Sequence, residues 1–166
     1  SRQVTYDAVS YTGLLLANEA TFGKRAIPSY HFENADVIVS LNSDFLGTWL
    51  TPVEFSKQYA VGKKLDEKNP KMSKHFQFES ILSMTGANAD ERFIQKPSEE
   101  GIVAAALYAA VKGAAISGIS DAKLKAGIQK AAKALVAKNG KSLVVSGSND
   151  TNIQIIVNAI NQAVGA

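Results

Sequence analysis

Two short sets of small polar residues and glycines are the residues of this sequence best suited to bind a ligand. The first set follows an apolar stretch at residues 37–41 and comprises Asn42, Ser43, Asp44, Gly47 and Thr48. The second set follows an apolar stretch at residues 142–146 and comprises Gly147, Ser148 and Asn149. Ligands of open α/β sheets bind beyond the carboxyl ends of the strands. We therefore predict that any binding site of this chain lies in these two loops.

The turn at residues 146–150 has two interpretations. It lies between a predicted strand and a predicted helix, and the free N–H groups of a helix N-terminus attract phosphate. It lacks both the G-x-G-x-x-G and the G-x-x-x-x-G-K-[ST] patterns, so helix capping is the favoured interpretation. The roles of Asp44 and Glu54 also have two interpretations. They either orient a ligand or satisfy turn and helix N–H groups, and we favour the second role.

No catalytic set and no metal site is recognisable in the sequence. His31 and His75 are the only histidines, and neither has a second ligand residue at metal-binding spacing. The absence of cysteine excludes disulfides, thiolate metal sites and iron–sulfur clusters held by this chain. The net charge is only +3, without the clustered basic face that is typical of nucleic-acid binding. We therefore predict no catalytic residue, no metal ligand and no nucleic-acid partner.

Short apolar runs predict the strands that would position both loops. Residues 37–41 and 142–146 are rich in β-branched residues, which is typical of strands buried in a parallel sheet. Residues 75–79 alternate in polarity, which predicts a half-buried strand, and residues 3–6 are predicted to form a short strand. Residues 80–97 show no clear pattern, and residues 85–90 are expected to begin a loop or a short helix.

Capping residues and helical spacing predict five helices. Their predicted starts are Asp7 or Ser10, Pro52 after the N-cap Thr51, Ser98, Ser120 or Asp121, and the residue after Asp150. Gly23 and Gly140 are expected to end two of them. The core positions predicted for the second helix are Val53, Phe55 or Ser56, and Tyr59. Residues 63–74 are charged and are expected to form an exposed excursion.

The alternation of strands and helices predicts the fold class. It indicates βαβ units and a Rossmann-like three-layer α/β/α fold with a mainly parallel sheet of about four strands. The length of 166 residues, of which 46% are hydrophobic, suits a single domain over residues 1–166. No apolar run approaches the ~20 residues that span a bilayer, and no signal peptide is recognisable.

Three long stretches of the sequence carry a specific resemblance. They are YDAVSYTGLLLANEATFGKRAIPSYHFENADVIVSLNSDFLGTWLTPVEFSKQYAVGKK, KMSKHFQFESILSMTGANADERFIQKPSE and SLVVSGSNDTNIQIIVNAIN. They resemble the molybdopterin oxidoreductase-like family. Within it, they are similar to a fragment of the large iron–sulfur subunit of bacterial alternative complex III, a quinol:cytochrome c oxidoreductase, of the Bacteroidetes type. The resemblance covers nearly the whole chain and is weakest at residues 113–141.

The resemblance implies a cofactor site in the same two loops. In the wider family, a strand followed by a loop with Gly and Asn contacts a molybdopterin guanine dinucleotide. ADVIVSLNSDFLGTWLTP is similar in placement to that strand and loop, and SLVVSGSND is similar to a later strand, turn and helix. The resemblance therefore implies that both residue sets are a vestige of a dinucleotide site. It places the iron–sulfur clusters elsewhere in a longer protein and implies no cofactor held by this chain alone.

Three hypotheses about function follow. The first is a non-catalytic, structural and docking domain of a membrane-associated respiratory electron-transfer complex, on the periplasmic face of the bacterial inner membrane. The second is a fragment of a molybdenum-dependent oxidoreductase that contributes to a pterin-dinucleotide site. The third is a free-standing nucleotide- or phosphate-binding module. The expected partners are other subunits of the complex, without direct membrane insertion, and an exposed sheet edge favours homo-oligomers.

Overall fold

One parallel sheet forms the centre of the molecule. The computed structural model describes residues 2–5, 7–65 and 70–166. The strands within them are β1 (Val37–Leu41), β2 (Lys74–Glu79), β3 (Glu91–Ile94) and β4 (Ser142–Ser146). All neighbours pair in parallel, in the order β3-β2-β1-β4. The predicted α/β fold with a parallel sheet of about four strands is confirmed.

Helices cover both faces of this sheet. They are α1 (Thr12–Phe22), α2 (Pro52–Lys63), α3 (Met84–Ala87), α4 (Glu100–Val111), α5 (Ala122–Ala137) and α6 (Thr151–Ala163). Short 3₁₀ turns occur at Phe32–Asn34 and Pro97–Glu99. Within the described residues, none of these helices combines the length and the apolar character that crossing a membrane requires.

Several predicted helix ends are confirmed. Gly23 ends α1 with a φ of 69°, in the left-handed region where glycine costs least. Pro52 is the first residue of α2, after Thr51. The side chain of Asp121 accepts a hydrogen bond from the N–H of Leu124 at the start of α5. The local sequence therefore determined where these helices begin and end.

Two predictions about β-structure are wrong, and one strand was missed. Residues 3–5 form no strand, and residue 6 of that predicted strand lies outside the described residues. The missed strand is β3, whose residues Glu91 and Arg92 give it no apolar run. β2 is buried on both faces rather than half-buried. Its polar side chains are buried within a hydrogen-bonded network, which polarity alternation cannot indicate.

Two expectations about exposure also need correction. Val53 on α2 does not face the core, since it is 86% exposed, whereas Phe55 and Tyr59 are buried as predicted. The expected excursion at residues 63–74 is exposed at Lys71 and Met72, but Ser73 is buried. Its residues 66–69 lie outside the described part of the chain.

The two faces of the sheet have cores of different composition. On one face, Val37, Val39 and Leu41 pack against aliphatic residues of α4, α5 and α6. On the other face, Ile38 lies under an aromatic cluster. That cluster comprises Phe32, Phe45, Trp49, Phe55 and Tyr59. Phe32 and Phe45 stack with their ring centroids 4.4 Å apart, which is within the range of favourable aromatic pairs.

The strand order reverses between β1 and β4. The chain leaves β1 through α2 on the aromatic face and reaches β2 and then β3 on one side. From β3 it crosses the opposite face of the sheet through α4 and α5. It then enters β4, which lies on the other side of β1. The carboxyl ends of β1 and β4 therefore flank a topological switch point, which is the usual ligand position in open α/β sheets.

A side-chain amide of α6 closes the outer edge of β4. The Val144 N–H donates to Asn161 Oδ1 at 2.8 Å, and Asn161 Nδ2 donates to the Val144 carbonyl at 2.8 Å. Gln154 Nε2 donates to the Ser146 carbonyl at 3.0 Å. These bonds replace those of a neighbouring strand. They occupy the edge of β4 at which a further strand would have paired.

We expect Asn161→Ala to destabilise the fold by about 1–3 kcal/mol, because it leaves the N–H and C=O of Val144 without partners. Gln162→Ala is the matched control, since this neighbouring side chain of α6 is exposed and should change the free energy of unfolding by less than about 0.5 kcal/mol. Urea denaturation measures both. Equal stability of the two variants would contradict the role of Asn161.

Candidate functional site

The two predicted loops meet at the switch point, where Gly147 approaches the main chain of Leu41 and Asn42. Gly147 donates its N–H to the Leu41 carbonyl at 2.9 Å. A Cβ atom at Gly147 would lie 2.2 Å from the Asn42 carbonyl oxygen, so only glycine permits this approach. Asn42 itself has a φ of 52°, a left-handed conformation that asparagine tolerates better than most residues. The main chains of the two loops are thus in direct contact.

A carboxylate from a third element joins the loops. Glu100 lies in the first turn of α4, where acidic residues are favoured by the helix dipole. Its Oε1 accepts a hydrogen bond from Asn42 Nδ2 at 3.1 Å, and its Oε2 accepts one from Ser148 Oγ at 3.2 Å. Asn42 Oδ1 in turn accepts from the Ser80 N–H at 3.1 Å. Two predicted ligand-binding side chains therefore hold Glu100 instead.

Sequence reasoning missed this role of Glu100. Its position after Ser98 and Glu99 indicated only a helix start. The contacts of Glu100 join residues 58 and 48 positions away along the chain. No local signal predicts such distant pairs, and only the packing of α4 across the sheet creates them.

The N-terminus of α6 is occupied by its own capping residue. Asp150 Oδ1 accepts hydrogen bonds from the N–H groups of Asn152 at 2.7 Å and Ile153 at 3.3 Å. Asn149 is directed elsewhere, since its Oδ1 accepts from the Gly13 N–H of α1 at 2.8 Å. The turn therefore caps one helix and contacts another, which is the interpretation that the sequence favoured.

The rest of the first set supports the loop rather than the crevice. Asp44 Oδ1 accepts hydrogen bonds from Thr85 N at 3.0 Å and Thr85 Oγ1 at 2.8 Å, which ties the loop to α3. Asp44 Oδ2 accepts from Thr48 Oγ1 at 3.3 Å. A Cβ atom at Gly47 would lie 2.2 Å from Asp44 Oδ2. Ser43 is fully buried, and its Oγ has no partner among the described residues.

The predicted site residues thus divide into three groups. Asn42, Gly147 and Ser148 meet at the switch point around Glu100. Ser43, Asp44, Gly47 and Thr48 belong to the loop that contacts α3. Asn149 contacts α1. The structure brings the two loops together, as predicted, but it does not gather their side chains around one shared cavity.

A row of buried polar side chains runs along β2 on the aromatic face. His75 Nε2 lies 3.2 Å from Gln77 Oε1, and Gln77 Nε2 donates to Glu79 Oε2 at 3.1 Å. Because the Gln77 amide nitrogen faces Glu79, its oxygen faces the ring and accepts a hydrogen bond from His75 Nε2. The ring proton of neutral His75 therefore lies on Nε2. The Tyr59 hydroxyl lies 3.1 Å from His75 Nδ1 and donates to the Asn88 carbonyl at 3.0 Å.

Arg92 and Ser83 compensate the charge at the end of this row. Glu79 is only 2% exposed. Its Oε1 accepts from Arg92 Nε, and its Oε2 accepts from Ser83 Oγ at 2.6 Å. Burial raises the pKa of Glu79, but the hydrogen bonds from Arg92, Ser83 and Gln77 outweigh it and hold the pKa below its ordinary value. Glu79 is therefore a satisfied structural carboxylate.

His75 is neutral at physiological pH. Burial lowers its pKa to about 4, although the hydrogen bond to Gln77 acts in the opposite direction. Within the described residues, no group of three or more His, Cys, Asp or Glu side chains is arranged to hold a metal ion. The row therefore has the character of a buried structural network.

We expect Asp44→Ala to lower the free energy of unfolding by about 1–3 kcal/mol, because it removes the acceptor of two hydrogen bonds from Thr85. Thr48→Ala is the matched control. It removes only the exposed 3.3 Å bond to Asp44 and should cost less than about 0.5 kcal/mol. Chemical denaturation measures both. Normal stability of Asp44→Ala would indicate that Asp44 serves a ligand instead.

We expect the stability of the chain to fall as the pH decreases from about 6.5 towards 4. In this window, unfolded chains protonate His75 but folded chains do not, so the unfolded state binds more protons. The slope between pH 6.5 and 5 should approach about 1 kcal/mol per pH unit. His75→Gln should flatten the slope, whereas His31→Gln should keep it. Denaturation midpoints measured across this range test the expectation, and an unchanged slope in His75→Gln would refute it.

The comparison with known proteins adds no assignment to this geometry. No protein-family model matches the chain, and a search of curated proteins finds no significant match.

Proposed function

We propose that this chain is a non-catalytic α/β domain with a structural and docking role. The observation that carries the proposal is the hydrogen bonding at the switch point, where Glu100 joins Asn42 to Ser148. In a ligand-binding α/β domain these polar groups would be available to the ligand. Here they hydrogen-bond to one another and stabilise the packing of β1, β4 and α4. A rigid framework is the property that these contacts provide.

The charges at the crevice also oppose a phosphate ligand. Glu100 lies between the loops, and Asp150 occupies the first N–H groups of α6. A bound phosphate would place further negative charge beside two carboxylates, where repulsion is only partly screened by solvent. The helix N-terminus that would attract the anion already has a carboxylate as its cap. Both features support a structural role over a nucleotide-binding role.

The place of this domain in a larger assembly is proposed from the sequence resemblance. We propose a domain of the molybdopterin oxidoreductase-like type in a membrane-associated respiratory electron-transfer complex, at the periplasmic face of a bacterial inner membrane. Its partners would be other subunits of that complex. Electron transfer would then proceed through clusters and haems that other parts of the complex carry.

A second candidate function is supported by the position of the two loops. Residues 42–48 and 147–149 flank the point where the strand order reverses, which is the usual cofactor position in this class of sheet. A molybdenum-dependent oxidoreductase could use these loops for part of a pterin-dinucleotide site. Such use requires Glu100 to release Asn42 and Ser148. A free-standing nucleotide-binding module would require the same change.

Titration of the isotope-labelled chain with guanosine diphosphate, followed by amide NMR, tests the proposed function. We expect no saturable shifts at millimolar nucleotide, because the donors at the crevice are already paired. The same titration is made on two variants. Glu100→Ala removes the bridge and one negative charge, and the control Glu54→Ala removes an exposed charge from α2. Saturable shifts in the unmodified chain, confined to residues 42–52 and 147–151, would refute the structural role and favour the cofactor site.

A further inference from the structure

The charges of this chain are unevenly distributed along the sequence. Residues 101–141 contain seven lysines and one acidic residue, Asp121. Their net charge is therefore +6, whereas the whole chain has a net charge of +3 and the remaining residues together have −3. The total charge conceals this separation. Charge asymmetry between parts of one chain indicates binding to an anionic surface or polymer.

The fold places several of these lysines on one side of α5. This helix has four lysines and no acidic residue, and it lies in the layer that covers the aliphatic face of the sheet. Lys123, Lys130 and Lys133 are exposed. At about 100° per residue, they lie within roughly 80° of one another around the helix axis. These three residues form the α5 lysine stripe.

The α5 lysine stripe carries a surplus of positive charge. Lys130 Nζ lies 2.7 Å from Glu91 Oε1, and this carboxylate is shared with a second lysine, of β2. Within residues 2–5, 7–65 and 70–166, no ion pair joins Lys123 or Lys133 to a carboxylate. The stripe is therefore only partly neutralised by its neighbours in the described part of the chain.

An open apolar groove lies beside the second half of the stripe. It has a volume of about 600 Å³ and lies between α5 and the end of α4 with the segment that follows. Val111, Ile116 and Val136 line it, together with Lys133. Val136 is 52% exposed. Lysines beside exposed apolar side chains match the boundary between the headgroups and the acyl chains of a lipid bilayer.

The composition of this surface favours lipid over nucleic acid or an acidic protein. Residues 101–141 contain no arginine and one aromatic residue, Tyr108. Nucleic-acid surfaces combine basic residues with aromatic rings on which bases stack, so we keep the prediction that no nucleic acid binds this chain. A fixed carboxylate is bound best by the planar guanidinium of arginine. Lysine is a flexible point charge, which suits the diffuse negative charge of lipid headgroups.

We propose that the α5 lysine stripe binds the surface of an anionic lipid bilayer. The helix lies along the bilayer, with Lys123, Lys130 and Lys133 among the phosphate groups and Val136 at the headgroup boundary. The opposite side of α5 stays packed on the sheet, so binding requires no unfolding. The inference rests on the docking role proposed above and identifies the kind of surface on which this domain docks.

Co-sedimentation of the chain with lipid vesicles tests the proposal. We expect binding to vesicles of phosphatidylcholine and phosphatidylglycerol in equal amounts, and no binding to vesicles of phosphatidylcholine alone. Binding should decline as the salt concentration is raised from about 0.01 to 0.15 M, because the Debye length shortens from about 30 Å to about 8 Å.

Single substitutions locate the binding surface. Lys123→Gln and Lys133→Gln should each weaken binding to the mixed vesicles about fivefold, equivalent to about 1 kcal/mol per lysine. Lys57→Gln is the matched control, because it removes an exposed lysine from α2 on the other face of the sheet, and it should leave binding unchanged. The double variant Lys123→Gln/Lys133→Gln should weaken binding about 25-fold while its urea-denaturation midpoint stays the same.

Three results would overturn the proposal. The first is no binding to the mixed vesicles, or equal binding to both kinds of vesicle. The second is binding that Lys57→Gln weakens as much as Lys133→Gln does. The third is displacement of the chain from the mixed vesicles by a DNA duplex at equal phosphate concentration, which would assign the stripe to nucleic acid. None of these results depends on the nucleotide titration, which reports on the loops at the switch point.

Discussion

Three polar side chains on the aromatic face of β2 constrain the structure around them. His75, Gln77 and Glu79 are buried, and burial of a polar group costs free energy unless the group is hydrogen-bonded. Their partners come from different elements, with Tyr59 on α2 and Arg92 on β3. The need to satisfy this row therefore fixes the positions of α2, of the turn before α3, and of the edge strand. A change in any of these elements would leave a buried polar group unpaired.

The same principle explains the hydrogen bonds at the switch point. In ligand-binding α/β domains, the polar groups beyond the strands are satisfied by the ligand. Here Glu100 satisfies Asn42 and Ser148, and Asp150 satisfies the N-terminus of α6. The architecture of a binding fold is retained, while its donors serve internal packing. Fold and site are thus separable, because function resides in the site rather than in the topology.

The two edges of the sheet differ in one physical respect. The edge of β4 is covered by the amide of Asn161, whereas Arg92 and Ile94 of β3 present unpaired main-chain groups in the described residues. An open strand edge is a template for another strand unless it is protected.

The sequence by itself determined the parallel α/β class, β1, β4 and several helix ends, because these features depend on local signals. Apolar runs mark buried strands, and Gly23, Pro52 and Asp121 act within one helical turn. It also placed both loops at the same edge of the sheet. Only the tertiary structure decided that β3 is a strand, that β2 is buried on both faces, and that Glu100 joins the two loops. These features depend on pairs far apart in the chain, whose contacts no local pattern encodes.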